Sequence, residues 1–359
     1  MLIQTRNYLI EQGDNAQNLS LYGQEMNLNT WAISKMNMFL HGVLNADIRK
    51  GDTLGDPQHT SGGELMSFDR VIANPPFSLK KWGKEAADAD PYGRYPYGTP
   101  PKDAGDLAFI QHMIASLNAE GKMGVVVPHG VLFRGSSEKD IRKGILEDDL
   151  LEAVIGLPSA LFYGTGIPAA LLIINKKKPD ERKGKVLFIN GELEYQEGKN
   201  QNKLQDSDIQ HVLDVYDAFA DERRYSKVVL MDEIRENEYN LNIRRYADTS
   251  PPPEQFDVRA ILKGGVPVSE VEDDYIQETL DGMDVSCVFV RRDSDYYDFK
   301  PEIETKEQIR EHLRTEEQSV INHFERWWDK YRVSLNEIDK QVKQSEEVMW
   351  GYLKELGYE

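Results

Sequence analysis

The residues of this chain best suited to chemistry are Asn74, Pro75, Pro76 and Phe77, which follow one another directly. The Asn74 side-chain oxygen and the Pro75 carbonyl are two acceptors, and neither proline carries a backbone N–H. The exocyclic amine of a nucleobase is a poor nucleophile, and accepting its two N–H groups favours the geometry needed for attack. Phe77 can then stack on a base that has left a duplex. The same four residues are also typical of a rigid turn that starts with Asn.

A short strand is predicted to position this motif. Phe68 to Ala73 is apolar-leaning and partly β-branched, with Ser67 before it and the two prolines after it, a pattern typical of a strand that stops near Asn74. Pro75 disfavours a helical conformation at Asn74, so the turn is stiff. The motif is therefore expected at the carboxyl end of a strand.

Two acids follow earlier predicted strands in the same way. Residues 19–23 lead into Glu25, and the strand at residues 46–52 ends at Asp52. Strands that alternate with helices imply a parallel sheet, which binds ligands at its carboxyl edge. Glu25, Asp52 and Asn74 are expected on that edge, where one carboxylate can accept from ribose hydroxyls and another from an adenine amine. Taken alone, each acid is more typical of a turn or a helix N-cap.

The other predicted elements continue the alternation of helix and strand. Helices are predicted at residues 2–9, 30–44, 107–117 and 206–216, and strands at 124–128, 151–157, 170–174 and 186–189. Residues 78–105 lack periodicity and mix basic with aromatic side chains, such as Arg94 and Trp82. That mixture suits contact with a nucleic acid. Because four acids nearly cancel the charge, a plain surface loop is an equal alternative.

Composition limits the class of protein. The 359 residues are 40% hydrophobic and 29% charged, enough for one large or two ordinary domains. No run approaches the ~18 apolar residues of a membrane span and no signal-peptide pattern is present, so a soluble, cytoplasmic protein without membrane association is expected. The single cysteine, Cys287, and histidines without ligand spacing predict no metal site. The formal charge of −19 disfavours an unaided grip on phosphate, so a DNA-binding role requires a partner that supplies positive charge.

The last third of the chain is predicted to differ from the rest. Pro251-Pro252-Pro253 indicates a boundary, which gives a domain at residues 1–250, a linker and acidic segment at 251–300, and a helical tail for subunit contact at 301–359. Within the tail, a heptad seam broken only at Ser345 is formed by Leu335, Ile338, Val342, Met349, Tyr352 and Leu356. This seam is equally typical of a hairpin packed on its own domain and of a helix that binds a partner.

Several short motifs together resemble the modification subunit of type I restriction-modification systems, an S-adenosylmethionine-dependent adenine-N6 DNA methyltransferase. The resemblance covers residues 1–250. Its motifs are Tyr22-Gly23-Gln24-Glu25, Gly51-Asp52-Thr53-Leu54, Asn74-Pro75-Pro76-Phe77, Leu161-Phe162-Tyr163-Gly164-Thr165-Gly166-Ile167-Pro168, Gly198-Lys199-Asn200-Gln201-Asn202 and Tyr239-Asn240-Leu241-Asn242-Ile243-Arg244-Arg245-Tyr246.

The resemblance implies a fold and a set of roles. The fold is α/β, a Rossmann-like class I methyltransferase sheet lacking its first strand, followed by a helical C-terminal tail. Glu25 is implied at the ribose of S-adenosylmethionine and Asp52 at its adenine. Asn74 to Phe77 are implied at the target base, with Phe162 stacking on the other face of that base. The implied partners are DNA, a specificity subunit and the restriction subunit of a type I system.

One departure from the family pattern leads to a further expectation. In the family, a helical domain and a glycine-rich turn precede the segment that Met1-Leu2-Ile3 resembles. This chain is therefore expected to be N-terminally truncated and to bind the cofactor weakly or not at all. Two alternatives stay open: a non-catalytic assembly subunit, and a protein-glutamine methyltransferase, which uses a similar motif that usually has Tyr in the fourth place.

Overall fold

The computed structural model describes residues 1–162, 166–199, 201–249, 257–280, 282–315 and 317–355. The chain divides into two compact units, Met1–Thr249 and Ser250–Glu359. Several positions singled out above lie outside the described residues: Pro251 to Pro253, Tyr163, Gly164, Thr165, Asn200 and Leu356.

The first unit contains both strands and helices. Its strands are β1 Tyr22–Glu25, β2 Asp47–Lys50, β3 Thr60–Ser61, β4 Glu64–Leu65, β5 Phe68–Ala73, β6 Leu117–Pro128, β7 Leu151–Gly156, β8 Ala169–Asn175, β9 Lys185–Asn190 and β10 Ser226–Leu230. Its helices are α1 Leu2–Glu11, α2 Leu28–Leu40, α3 Lys84–Ala87, α4 Asp106–Ala115, α5 Ser137–Glu147, α6 Asp206–Ala218 and α7 Met231–Glu236. Most of the predicted elements are therefore confirmed, whereas β3, β4, β10, α3, α5 and α7 were not predicted.

The strands form a mixed sheet, so the prediction of a parallel sheet is wrong. Six strands lie in the order β10-β9-β7-β8-β6-β5. β5 pairs with β6 and β7 with β9 in parallel, but β8 runs antiparallel to both β6 and β7. A parallel return needs a long crossover, usually a helix. The described part of the β7–β8 connection contains no helix, and the chain accordingly returns antiparallel.

A second, separate sheet carries the two acids. β1 and β2 pair with each other in parallel and form a two-stranded sheet of their own. The expectation that Glu25, Asp52 and Asn74 share one sheet edge is therefore wrong for Asn74. Ring contacts still join the two sheets near the start of β5, where the centroids of Tyr22 and Phe68 lie 5.2 Å apart.

The core of the first unit lies around β6, β7, β8 and β9. Val125, Val154 and Phe188 are fully enclosed there. The Tyr239–Tyr246 motif closes this core, because Ile243 is buried and the Tyr246 ring lies 4.3 Å from that of Phe188. This motif is thus a packing element of the sheet.

Apolar surface remains open elsewhere in the first unit. The helix expected at residues 30–44 is confirmed as α2, but its apolar side chains, including Ile33, Met36 and Phe39, are exposed. A groove of about 530 Å³ runs along one face of the six-stranded sheet, between strand residues such as Ile173 and α6 residues such as Val212. None of the candidate site residues lines this groove.

The second unit has its own core. It contains β11 Val266–Pro267, β12 Phe289–Arg291 and β13 Tyr296–Phe299, with α8 Val258–Lys263, α9 Val268–Val271, α10 Asp274–Leu280, α11 Lys306–Leu313, α12 Gln318–Tyr331 and α13 Leu335–Glu355. The strand order is β11-β13-β12, and Phe289 packs on Phe324 with ring centroids 5.4 Å apart. The described part of the segment expected to be a linker is folded together with α11 and α12.

The last described helix, α13, has no buried residue. It begins at a cap in which the Glu337 N–H donates to Ser334 Oγ at 3.2 Å. Ile338, Val342 and Met349 of the predicted seam are all about half exposed. In the described ranges, no helix is long and apolar enough to cross a membrane.

Substitution of Gly144 tests how the long loop at residues 78–105 is attached to the first unit. A Cβ added at Gly144 of α5 would overlap the ring of Tyr97, whose hydroxyl donates to Asp148. Gly144→Ala should therefore lower the free energy of unfolding by about 1–3 kcal/mol, measured by denaturant titration. Gly135→Ala is the control, because an added Cβ there meets no atom within 4 Å. Equal stability of the two variants would show that Tyr97 moves aside freely.

Candidate active site

Asn74 follows β5 directly, at the point where pairing with β6 stops. The last paired residue is Ala73, opposite Val125. Asn74 is exposed, and neither its side chain nor the Pro75 carbonyl has a hydrogen-bond partner among the described residues. The motif therefore presents two acceptors that the protein itself leaves unused.

The residue after the motif is held by a buried acid. Ser78 has a φ of 49°, which is unfavourable for a residue other than glycine. The Ser78 N–H donates to Asp106 Oδ1 at 2.7 Å, and Asp106, at the start of α4, is only 1% exposed. Arg134 donates to Asp106 Oδ2 at 3.4 Å and to Ser78 Oγ at 3.3 Å. Together these contacts fix the backbone on which Phe77 sits.

A second carboxylate lies in the same cluster. Glu138 is buried, 3.7 Å from Arg134. Burial raises the pKa of Glu138, and the positive charge of Arg134 opposes this shift. Arg134 thus contacts two buried carboxylates, Asp106 and Glu138, and these contacts hold it beside Ser78.

The structure brings Phe162 to Phe77. Their ring centroids lie 6.3 Å apart at an interplanar angle of 81°. In this edge-to-face arrangement only one of the two rings can lie parallel to a flat base, so a base held between them would require one ring to turn.

The loop that carries Phe162 is held by the Gly198–Asn202 motif. Gln201 Nε2 donates to the Leu161 carbonyl at 2.6 Å. Asn202 Nδ2 donates to the Ser159 carbonyl at 2.9 Å, and its backbone N–H donates to the Ala160 carbonyl at 3.0 Å. This motif therefore positions the second aromatic ring.

Glu25 and Asp52 each use one carboxylate oxygen to hold a turn. Glu25 Oε1 accepts from the Asn27 N–H at 2.7 Å, and Asp52 Oδ1 accepts from the Leu54 N–H at 3.0 Å. Across the described residues, no hydrogen bond reaches Glu25 Oε2 or Asp52 Oδ2. Glu25 ends β1 and Asp52 lies just after β2, so both acids lie at the carboxyl ends of paired strands. The Gly51 N–H donates to the Glu25 carbonyl at 3.1 Å and extends this pairing as far as the residue before Asp52. Both the turn role and a free acceptor are thus present in each acid.

Gln24 fastens the segment that follows Asp52. Its amide nitrogen donates to the Asp56 carbonyl at 2.9 Å, and its amide oxygen accepts from the Gln58 N–H at 2.9 Å. The end of β1 and the turn after β2 are therefore linked by side-chain bonds as well as by strand pairing.

Several supporting residues were not identified as site residues from the sequence. Asp106 and Arg134 carry no motif of their own, and only three-dimensional contact reveals their role. Gln201 and Asn202 were recognised in a motif, but nothing in their spacing shows which loop they bind. In the described part of the chain, no group of three or more His, Cys, Asp or Glu side chains could hold a metal ion.

The long loop divides into buried and exposed parts. Trp82 and Arg94 are buried, so neither is presented to a nucleic acid. Lys80, Lys81 and Lys102 are exposed. These three lysines are therefore exposed positive charges that the loop can present to phosphate.

A comparison with protein families accounts for the arrangement. The family model described as N-6 DNA methylase matches residues 1–255. The chain belongs to the N-6 DNA methylase family. This match covers the whole of the first unit and confirms the resemblance drawn from the motifs.

Relatives of this family member include methylase subunits of type I restriction enzymes. The MjaVII methylase subunit of Methanocaldococcus jannaschii is 38% identical over 291 residues, which are 78% of this chain and 49% of the relative. The HindI methylase subunit of Haemophilus influenzae is 34% identical, over 75% of this chain and 59% of the relative. The chain thus spans about half the length of these relatives.

A solved structure supports the fold. The methyltransferase subunit of a type I restriction-modification system from Streptococcus thermophilus matches with a TM-score of 0.63 and 38% identity, over 69% of this chain and 52% of that one. The M protein of the EcoKI type I restriction enzyme matches with a TM-score of 0.52 at 22% identity, which supports the fold alone. The α/β methyltransferase fold of this N-6 DNA methylase family member is thereby confirmed.

Replacing Asp106 tests the support beneath the motif. Asp106→Ala leaves the Ser78 N–H and Arg134 without their buried acceptor, and the free energy of unfolding should fall by about 1–3 kcal/mol. Amide hydrogen exchange in residues 74–80 should also become faster, measured by mass spectrometry. Asp106→Asn retains one acceptor and should lose less.

Asp103→Ala is the matched control for this variant. Asp103 is an exposed acid in the loop just before α4, and its removal should change neither stability nor exchange. Unchanged exchange in Asp106→Ala would contradict a supporting role for the buried acid.

Proposed function

We propose that this chain contributes the methyltransferase domain of a type I restriction-modification complex, which transfers a methyl group from S-adenosylmethionine to N6 of adenine in DNA. The observation that carries the proposal is the pair of unused acceptors, on Asn74 and Pro75, next to the rings of Phe77 and Phe162. The type I methylase subunits among its relatives support the same reaction.

The two acceptors suit an adenine amine. Its two N–H groups can donate to the Asn74 side-chain oxygen and the Pro75 carbonyl, which are fixed before the base arrives. Holding both N–H groups favours localisation of the nitrogen lone pair and so improves the nucleophile. The prolines help because they cannot donate N–H groups of their own to these acceptors.

The aromatic rings suit a base removed from the duplex. Stacking on an aromatic side chain contributes about 1–3 kcal/mol per base, which offsets part of the cost of unstacking. Phe77 is half-buried and held by the backbone at Ser78. Phe162 is the candidate for the second face of the base.

Glu25 and Asp52 fit the nucleoside part of S-adenosylmethionine. When bound, this cofactor supplies the methyl group. A free carboxylate oxygen on Glu25 can accept from the ribose hydroxyls, and one on Asp52 can accept from the adenine amine. Each acid keeps its direction because its other oxygen is bound to a backbone N–H.

A partner is expected to provide much of the DNA grip. The chain carries a formal charge of −19, whereas binding to phosphate depends on Lys and Arg. In the proposed complex, a specificity subunit supplies this positive surface and a restriction subunit completes the assembly. The exposed lysines of the 78–105 loop add a local contact.

The observation that favours an assembly role is α13. Its apolar seam is exposed, and a partner helix with a complementary apolar face would bury it. An assembly role is compatible with catalysis. It is also the role that a non-catalytic subunit would have. A protein-glutamine methyltransferase is less well supported, because Phe77 replaces the usual Tyr and the relatives are methylase subunits of type I restriction enzymes.

Asn74→Ala tests the catalytic assignment. The variant loses one acceptor for the amine, so kcat/KM for adenine methylation should fall about 100-fold or more. The affinity for S-adenosylmethionine should be unchanged. Transfer of a radiolabelled methyl group to oligonucleotides is measured with a type I specificity subunit present.

Two forms of the protein are compared in this assay. One is the wild-type 359-residue chain, and the other is its Asn74→Ala variant. If neither form methylates adenine, the proposed function is wrong. A near-normal rate in Asn74→Ala would reduce Asn74 to a turn residue.

The assembly role has a separate test on α13. Deleting residues 333–359 should abolish co-purification with a type I specificity subunit and leave the first unit folded. Val342→Asp should weaken the complex in the same way, because it places a charge in the apolar seam. Lys340→Asp, on the opposite face of the helix, is the control and should still form the complex. Unchanged affinity after the deletion would assign the subunit contact to another surface.

A further inference from the structure

Arg94 is a buried arginine in the loop that begins directly after the motif. It is only 4% exposed, although it belongs to a loop of 28 residues, 78–105, with little regular structure. Burying a guanidinium is unfavourable unless it is paired and fully hydrogen-bonded. Its partners therefore indicate why it is there.

Its first partner is an acid of the same loop. Arg94 Nε donates to Asp90 Oδ1 at 2.9 Å, and the Arg94 backbone N–H donates to Asp90 Oδ2 at 2.7 Å. Asp90 is almost as buried as Arg94. This pair neutralises the charge and points the rest of the guanidinium away from its own loop.

The remaining donors reach the turn that follows Asp52. Arg94 donates to the Thr53 carbonyl at 3.3 Å and to the Leu54 carbonyl at 2.9 Å. These are the two residues directly after Asp52. Thr53 and Leu54 are far from Arg94 in the sequence, so these hydrogen bonds join two distant segments of the chain.

The surroundings hold the guanidinium in place. The rings of Tyr92 and Tyr95 lie 5.6 and 5.3 Å from its central carbon. Leu54 is buried in a small cluster with Trp82, Ala87 and Ala108. Arg94 and the Leu54 carbonyl that it binds form a clamp, and both residues are enclosed by packed side chains.

His112 completes the set of groups around Arg94. Its Nδ1 lies 3.3 Å from the guanidinium. Burial and the adjacent charge of Arg94 lower the pKa of His112 to about 4, so the ring is neutral at pH 7. In the tautomer protonated at Nε2, Nδ1 can accept a hydrogen bond from Arg94.

A clamp is needed at this point because the strands do not provide one. Asp52 follows β2, whereas the Asn74 motif follows β5, and these strands belong to different sheets. Among the described strands, no ladder of backbone hydrogen bonds joins β2 to β5. The 78–105 loop begins directly after the motif, and its Arg94 binds the turn that follows Asp52.

We propose that Arg94 is a positioning residue that holds the Asp52 turn in register with the target-base motif, and so orients Asp52 toward the adenine of the cofactor. This inference rests on the proposed function for the role of Asp52. Arg94 acts through the Thr53 and Leu54 carbonyls, which fix the peptide planes that follow Asp52. Its planar fork of donors is essential, since a lysine cannot reach Asp90 and two carbonyls at once.

The test uses Arg94→Lys in the 359-residue chain, because this variant retains the charge that pairs with Asp90. Hydrogen exchange is followed at the Leu54 and Asp56 amides, which donate to Asp52 Oδ1 and to the Asp52 carbonyl. Both amides should exchange about tenfold faster or more, as expected when charge-assisted bonds to the turn are lost. The Kd for S-adenosylmethionine, measured by calorimetry, should rise by a similar factor.

Arg235→Lys serves as the matched control. Arg235 also forms a carboxylate pair, with Glu147, but at the surface of the first unit. This control should leave both readouts unchanged. Arg94→Ala is the second variant, and it should show at least the exchange effect of Arg94→Lys.

The two readouts separate the inference from the proposed function. Unchanged exchange in Arg94→Lys would overturn the positioning role. Faster exchange with an unchanged Kd would also overturn it, because Arg94 would then be structural only. If the wild-type chain binds no S-adenosylmethionine while exchange still rises, the clamp is supported and the cofactor assignment is what fails.

Discussion

Strand pairing between β5 and β6 stops at Ala73, and the chemistry proposed for this protein depends on that stop. Pro75 and Pro76 have no N–H with which to continue a ladder. The Pro75 carbonyl and the Asn74 side chain are consequently left with unused acceptor capacity at the sheet edge. An unpaired acceptor is tolerated there because Asn74 is exposed to water, which satisfies it until a substrate binds.

Support for this edge comes from polar contacts of high sequence separation. Asp106 and Arg134 hold the residue after the motif, Gln201 and Asn202 hold the loop with Phe162, and Arg94 reaches the turn after Asp52. None of these contacts belongs to a helix or a strand ladder. The site is therefore assembled from loops that polar side chains hold to one another and, through Asp106, to the start of α4.

Local signals in the sequence were sufficient for most elements and for the motifs. Phe68–Ala73 is a strand as expected because Phe68 is aromatic, Val71 and Ile72 are β-branched, and the prolines after Asn74 end it. The direction of β8 was not predictable in the same way, because it depends on the connection after β7, whose described part contains no helix. The burial of Arg94 was also not predicted, because basic residues interleaved with aromatic residues are equally typical of an exposed basic loop. Periodicity reports which face is apolar, not whether anything covers it, as the exposed faces of α2 and α13 illustrate.

The exposed seam of α13 has a consequence for how the isolated chain behaves in solution. Apolar strips on separate molecules attract one another, while the formal charge of −19 keeps those molecules apart. The range of this repulsion shrinks from about 10 Å at 0.1 M salt to about 3 Å at 1 M salt. Dilute buffers should therefore favour single molecules and concentrated salt should favour self-association, so that salt affects this acidic chain in the opposite sense to its effect on most contacts between proteins and DNA.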